Sequence, residues 1–278
     1  MSLFVFLVVL FSALLHAGWN ALIKLGTSKL TSMLILTLTQ GSLGAIIATT
    51  RPLPEGQVWA WLLASGILHA GYKVFLALAY EQGDLSRVYP IARGAAPLIV
   101  LAASGLVLSD VITGIEMIGI IVLGFGILLM AQGVLASKEA VRLIPLALGS
   151  AIATAGYSLV DGLGARVSGD VVTYVAWLFV FDLTFFLPMA ILLRGTNVLR
   201  APLKAWFSGT IAAALSYGAY AISVWAMTKA PVALVAALRE TSILFAVLIG
   251  WLVFGDKMDR GKIASVLLIA CGVILMRF

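Results

Sequence analysis

Charge is scarce in this chain: 11% of its 278 residues are Asp, Glu, Lys or Arg, against 62% hydrophobic. A water-soluble domain of this length needs far more charge to cover its surface. No long polar stretch is present that would build a soluble domain beside a single anchor. Cysteine is scarcer still, and the lone Cys271 excludes an intramolecular disulfide and any cysteine-based zinc site. Histidine is limited to His16 and His69, far apart in the chain, so there is no His-Glu-x-x-His run, and no metal or cofactor is expected. The glycine-rich phosphate loop of ATP-hydrolysing proteins is missing as well. With no activated nucleophile in view either, the chain is not expected to be an enzyme. Residues 1–9 carry no basic side chain and no small-residue cleavage pattern follows, so the apolar start reads as a first membrane helix and not a signal peptide. The net charge of +6 is spread over short connections with no soluble basic face, which excludes nucleic acid as a partner.

What is present is apolar length. A helix crossing a bilayer takes roughly 20 mostly apolar residues, and ten such runs are found, at 3–23, 31–49, 58–80, 88–108, 113–131, 142–163, 171–193, 204–226, 232–253 and 261–277. Mean hydropathy is +1.12. Turn and charge signals separate the runs, including Arg51-Pro-Leu-Pro-Glu55, Ser137-Lys-Glu139, Ser168-Gly-Asp170 and Lys229-Ala-Pro231. The lipid bilayer is therefore the first partner, and the fold class is an all-α integral membrane protein.

The chain also repeats itself. Gly124-Phe-Gly-Ile-Leu-Leu-Met130 matches Ala270-Cys-Gly-Val-Ile-Leu-Met276, and the same interval of 146 sets Arg93 on Arg239 and Ser109-Asp110 on Gly255-Asp256. Two units follow, residues 1–136 and 137–278, each with five spans. A five-span unit ends on the side opposite its start, so the second enters inverted, and a pseudo-two-fold axis in the membrane plane relates the two. Fused halves of this kind predict a working monomer; a homodimer stays open. Small-residue stripes at Ala13, Ala17 and Ala21 and at Gly114, Gly119 and Gly124 suit close helix contact. Gly41, Gly44, Gly71 and Gly218 are expected as contact points where helices slide. Outside the spans, ten basic residues fall on one side and four on the other (Arg51, Arg166, Lys229 and Arg277). The excess predicts a cell-membrane protein with both termini extracytoplasmic.

Polar groups inside spans are costly and face a cavity or a partner. His16, Asn20 and Lys24 share one helix face with Trp19 beside it; His69, Tyr72 and Lys73 form a second set, Tyr157 and Asp161 a third. Asp182 lies mid-span, and Arg239-Glu240 interrupts an apolar run. The pair Arg93 and Arg239 is the centre of the reading, since repeat symmetry and depth agree in setting both about a central volume. Pro97, four residues past Arg93, is expected to kink its helix. The expected substrate-binding residues are Arg93, Arg239, Lys73, Tyr72, Trp19, Asn20, Tyr157, Tyr217 and Tyr220, with Trp177 and Trp225 nearby in sequence. Glu240, Asp161, Asp182, His16 and His69 are the candidate proton carriers. Paired guanidinium donors suit a carboxylate or phosphate-type group, and acids with aromatics suit an ammonium.

The ten spans, the five-plus-five repeat and the segment Arg239-Glu-Thr-Ser-Ile-Leu-Phe-Ala-Val-Leu-Ile-Gly-Trp-Leu-Val-Phe-Gly-Asp256 resemble the drug/metabolite transporter superfamily, in particular its EamA-type permeases. The first half echoes that segment from Arg93 to Ser109-Asp110. Helices of this kind often end Gly-Glu in that family, so Gly255-Asp256 is a mild departure. The resemblance implies a multi-pass transporter of small metabolites and leaves the solute open. The charge set favours an amino-acid-like zwitterion or an organic anion moved by alternating access, with proton coupling or exchange. A flippase for a lipid-linked headgroup and a cation or drug exporter using the acids and aromatics are the alternatives.

Overall fold

A computed structural model describes residues 1–24, 29–82, 85–131, 140–255 and 258–278. The side chain of Lys24, the acid Asp256 and the expected junction of the two units near residue 137 lie outside the described residues. Every regular element among them is helical. In order these are α1 (Leu3–Lys24), α2 (Lys29–Ala48), α3 (Val58–Gln82), α4 (Leu85–Val107), α5 (Gly114–Leu129), α6 (Ala140–Ser168), α7 (Val171–Arg194), a 3₁₀ turn at Thr196–Leu199, α8 (Leu203–Met227), α9 (Val232–Arg239), α10 (Ser242–Phe254) and α11 (Arg260–Leu275). Helix is the open-chain solution in lipid, because it satisfies every backbone N–H and C=O within its own segment.

Eight runs are long and apolar enough to cross a membrane, and Gly114–Leu129 is a shorter apolar helix. The structure departs from ten equal spans at α5 and α11, of 16 residues each. Polar caps cut both short. Thr113 and Glu116 form a reciprocal capping box at the start of α5, and Asp259 accepts from the Lys262 N–H at the start of α11. Asp170 caps α7 in the same way, accepting from the N–H groups of Val172 and Thr173. Partial burial opposes its ionisation, but the Thr173 hydroxyl, these two N–H groups and Arg51 outweigh it and hold the carboxyl below its ordinary range.

The apolar run 232–253 holds a second departure. It is split, with α9 ending at Arg239 and α10 starting at Ser242. At the step, the N–H groups of Glu240 and Thr241 bond three residues back, to Ala237 and Leu238, and the Thr241 hydroxyl also donates to the Leu238 carbonyl at 2.6 Å. Such 3₁₀ tightening frees the ladder for a turn. Meanwhile α4 is a continuous helix that contains Pro90 and Pro97.

Packing pairs α3 with α6, α1 with α8, α2 with α7 and α5 with α11. Glycine makes two of these contacts possible. A Cβ on Gly41 would come 2.5 Å from the Leu183 side chain, and Cβ atoms on Gly119 and Gly272 would lie 2.8 and 2.6 Å from each other's carbonyl oxygens. Gly71 and Gly218 are corrected: a Cβ at either meets no atom within 4 Å, so neither is a helix contact. The close approaches of α3 and α8 occur instead at Gly66, against Phe181, and at Gly209, against Ile35.

One end of the bundle is tied together by charge. Arg166, near the end of α6, grips Asp110 of the α4–α5 connection with two bonds of 2.8 and 3.1 Å, and donates to the carbonyls of Met227 and Ala230. Asp110 in turn accepts the Val232 N–H at 2.8 Å, so it caps α9 from the other half of the chain. Met1 with Glu116 (3.7 Å) and Arg51 with Asp170 (3.8 Å) lie among the same connections.

Candidate functional site

The polar groups predicted from helix spacing meet in the interior. His69, Lys73, Arg93, Asp161, Asp182, Arg239 and Glu240 are all buried. A buried charge demands a partner, and three groupings supply one.

Glu240 joins the two arginines. Its Oε1 is 3.1 Å from Arg93 Nη1 and 3.7 Å from Arg239 Nη2. Arg93 also donates to His16 Nε2, and His16 meets Trp19 edge-on at 5.0 Å. The break after Arg239 explains how one short segment holds both signs. It leaves Arg239 at the C-terminus of α9 and Glu240 just before the N-terminus of α10, the end that each charge favours in a helix dipole. Arg239 further donates to the Tyr157 hydroxyl at 3.3 Å and to Ser158 Oγ at 3.5 Å, and its guanidinium carbon lies 5.5 and 5.4 Å from the ring centres of Tyr157 and Tyr220. Its Nε and Nη1 are buried and have no hydrogen-bond acceptor among the described residues.

Lys73 pairs with Asp182 at 2.5 Å and donates to the Thr37 hydroxyl at 2.6 Å, joining α3, α7 and α2. Asp161 is held by an imidazole and two phenols instead. Its Oδ2 accepts from His69 Nε2 at 3.0 Å and from the Tyr220 hydroxyl, and its Oδ1 accepts from the Tyr174 hydroxyl at 3.2 Å. His69 stacks on Tyr157 at 4.0 Å, and Tyr72 leans on Tyr157 at 5.5 Å. The aromatic shelf therefore touches both Asp161 and Arg239.

Other predicted residues stand further out. The Asn20 amide donates back to the His16 carbonyl on its own helix. Tyr217 packs on Phe179 at 4.7 Å, one ring removed from Tyr220. Trp177 pairs with Trp59, and Trp225 with Phe4. Sequence reasoning passed over Thr37, Ser158, Tyr174 and the Asp110–Arg166 tie. A signal for Tyr174 exists in Gly164, one turn past Asp161, where an added Cβ would collide with the Tyr174 hydroxyl.

Residues 142–278 match the family model of the EamA-like transporter family. One solved chain, known from a crystal structure, superposes with a TM-score of 0.76 at 16% identity, over 98% of this chain and 96% of that one. At that identity the likeness concerns the fold alone. No curated protein matches the chain.

Proposed function

The chain belongs to the EamA-like transporter family, and from that premise we propose that it carries a small polar metabolite with a carboxylate or similar anionic group, an amino-acid-like zwitterion or an organic anion. One observation carries the reading: Arg239 is only 3% exposed, yet keeps two nitrogens without an acceptor among the described residues, beside the Tyr157 and Tyr220 rings. A buried unpaired donor is expensive, and an anionic oxygen placed against either nitrogen satisfies it with a charge-assisted hydrogen bond. The acids favour this reading over a cation exporter. Glu240 and Asp182 already face Arg93, Arg239 and Lys73, which leaves the charges of these two acids matched before any cation arrives.

Alternating access is the mechanism. Ten membrane helices form two inverted units that rock about the arginine centre. Support comes from the packing partners, which exchange under such a symmetry: α3 on α6 corresponds to α1 on α8, while α2 on α7 and α5 on α11 map onto themselves. The Arg166–Asp110 tie is then the closed gate of one face, and the Lys/Arg count makes that face extracytoplasmic.

Thermal stabilisation of the purified protein across amino acids, carboxylates, phosphonates and quaternary ammoniums tests the solute class. A ligand at 100 times its Kd adds about 2.7 kcal/mol. A stabilising carboxylate or amino acid whose effect disappears in Arg239→Ala supports the proposal. Stabilisation confined to quaternary ammoniums and retained in Arg239→Ala and Arg93→Ala overturns it.

A further inference from the structure

The three buried acids of the core are not equivalent. Asp182 faces the Lys73 ammonium and Glu240 faces two guanidiniums. Protonating Glu240 would take the counter-charge from two guanidiniums, and protonating Asp182 would break its ion pair with Lys73. Asp161, fully buried, has no such partner among the described residues: its three donors there are an imidazole and two phenols. Of the two histidines, His16 accepts from the Arg93 guanidinium through Nε2, and an added proton there would replace that bond with a like-charge contact. His69 instead points Nε2 at a carboxylate. The geometry thus singles out one place in the core where an imidazole faces a carboxylate that no Lys or Arg among the described residues engages.

We infer that the His69–Asp161 pair is the proton-binding site of this carrier, and that Tyr157 and Tyr220 link its protonation to the oxyanion seat at Arg239. The inference rests on the transport reading above and narrows it to a coupling ion and a residue pair. In the proton-loaded state an imidazolium donates Nε2–H to Asp161, and the pair is neutral. In the unloaded state a neutral imidazole donates the same hydrogen, the proton having left from Nδ1, and the pair carries one negative charge. That charge sits behind the two rings that flank Arg239: Tyr220 bonds Asp161 through its hydroxyl while its ring centre is 5.4 Å from the guanidinium carbon, and His69 stacks on Tyr157, whose hydroxyl accepts from Arg239. Unloaded, the pair competes with a substrate oxyanion for the field of Arg239. Loaded, it does not. Proton and anion therefore bind cooperatively, and by linkage each raises the affinity for the other by the same factor.

The surrounding charges are compatible with this role. From α3 come Tyr72 and Lys73, from α6 Tyr157, from α7 Tyr174 and Asp182, from α8 Tyr217 and Tyr220, from α4 Arg93 and from α9 Arg239 with Glu240 beyond it; α2 brings the Thr37 hydroxyl, held by Lys73. Lys73 with Asp182 and Arg93 with Glu240 cancel in pairs, which leaves Arg239 as the cation that answers the state of Asp161.

Two measurements test the pair. In the first, proteoliposomes of phosphatidylethanolamine and phosphatidylglycerol with a trapped pH-sensitive dye receive an equimolar mixture of labelled L-amino acids, succinate and malate. Wild-type protein should move protons with the label, and the ratio of protons to label should fall at least tenfold in Asp161→Asn. Label movement without protons in the wild type, or an unchanged ratio in the variant, overturns the inference and leaves the transport reading intact. The second measurement needs no solute. In a His16→Gln background His69 is the sole histidine, and its ring signal from isotope-labelled protein is followed between about pH 5 and pH 8, where imidazoles ordinarily titrate. The signal should titrate, and Asp161→Asn and Tyr220→Phe should each displace the curve. A signal that stays constant, or a curve that is the same in all three proteins, sinks the proton site even if every solute in the mixture is refused.

Discussion

Arg93 and Arg239 occupy matching positions in the sequence repeat, but their helices treat them differently. The interval that pairs them sets Gly94 opposite Glu240 and Ala95-Ala96 opposite Thr241-Ser242. In the first arm, glycine lets α4 lie against α5, where a Cβ on Gly94 would come 3.0 Å from Leu128, and two alanines keep the helix whole in spite of Pro97. In the second arm, a hydroxyl that bonds backward loosens the helix, and an acid stands at the break. Arg93 is consequently engaged by Glu240 and His16, whereas two nitrogens of Arg239 have no acceptor among the described residues. Symmetry tells where a pair of charges lies. The residues next to them decide which is the strut and which is the hand.

The hardest blow to that arrangement is the loss of its centre. Glu240→Ala removes the carboxylate between two buried guanidiniums, and breaking a buried pair from one side costs about 3–5 kcal/mol. Thermal unfolding in detergent should show this loss, with Arg93→Ala/Glu240→Ala less affected than Glu240→Ala alone, because the strut leaves with its load. Equal losses in the single and double variants would mean that Glu240 is held by something other than Arg93. The hand comes next. Arg239→Ala should weaken binding of a stabilising carboxylate by about 10- to 150-fold, the worth of a hydrogen bond to a charged group at about 1.5–3 kcal/mol. Arg239→Lys should not restore it, since a single ammonium cannot occupy the places of the separate nitrogens of a rigid guanidinium plane. If Lys restores full affinity, Arg239 acts as a point charge and the unpartnered nitrogens carry no meaning.

The difference between the arms was only half legible in the sequence. The solvent, the all-helical class, the family and the arginine pair could be read, because apolar length, repeat interval and buried charge are local signals. The break at Glu240-Thr241 could not, because the run 232–253 is apolar on both sides and a single hydroxyl bonding back to Leu238 leaves no trace in periodicity. Gly71 and Gly218 misled, since a glycine in a span signals close contact only where a neighbour is there to make it. Asp110 was read as the end of an apolar helix. Its role as a cap on α9 needs two halves of the chain brought together, which spacing within one half does not reveal.

Asp110 also gives the next test, because it is where the first arm takes hold of the second. It closes on Arg166 and on the N–H of Val232, the first residue of α9. Asp110→Asn keeps the shape and removes the charge, so the closed face should open more often, by roughly tenfold for about 1.4 kcal/mol lost. Thiol labelling of a cysteine placed at Ala233 in a Cys271→Ser background reports it, with faster reaction expected from the face that carries the tie. An unchanged labelling rate would show that the tie is local and gates nothing.

The smallest change in energy makes the sharpest comparison. Thr241→Ala/Ser242→Ala gives the second arm the Ala-Ala of the first. Two opposing terms nearly cancel: the lost bond from Thr241 to the Leu238 carbonyl costs about 1 kcal/mol, and alanine gains roughly half a kcal/mol per residue as a helix former. Stability should therefore move by less than about 1 kcal/mol. Binding should not be so indifferent. A continuous helix through residue 240 no longer ends a dipole at Arg239 or begins one after Glu240, and it turns the guanidinium away from the Tyr157–Tyr220 shelf. Carboxylate affinity should then drop several-fold at nearly constant stability, with amide exchange slowing across residues 240–243 as the ladder closes. If exchange slows and affinity holds, the break is an ornament of the second arm, and the distinction between Arg93 and Arg239 rests on Glu240 alone.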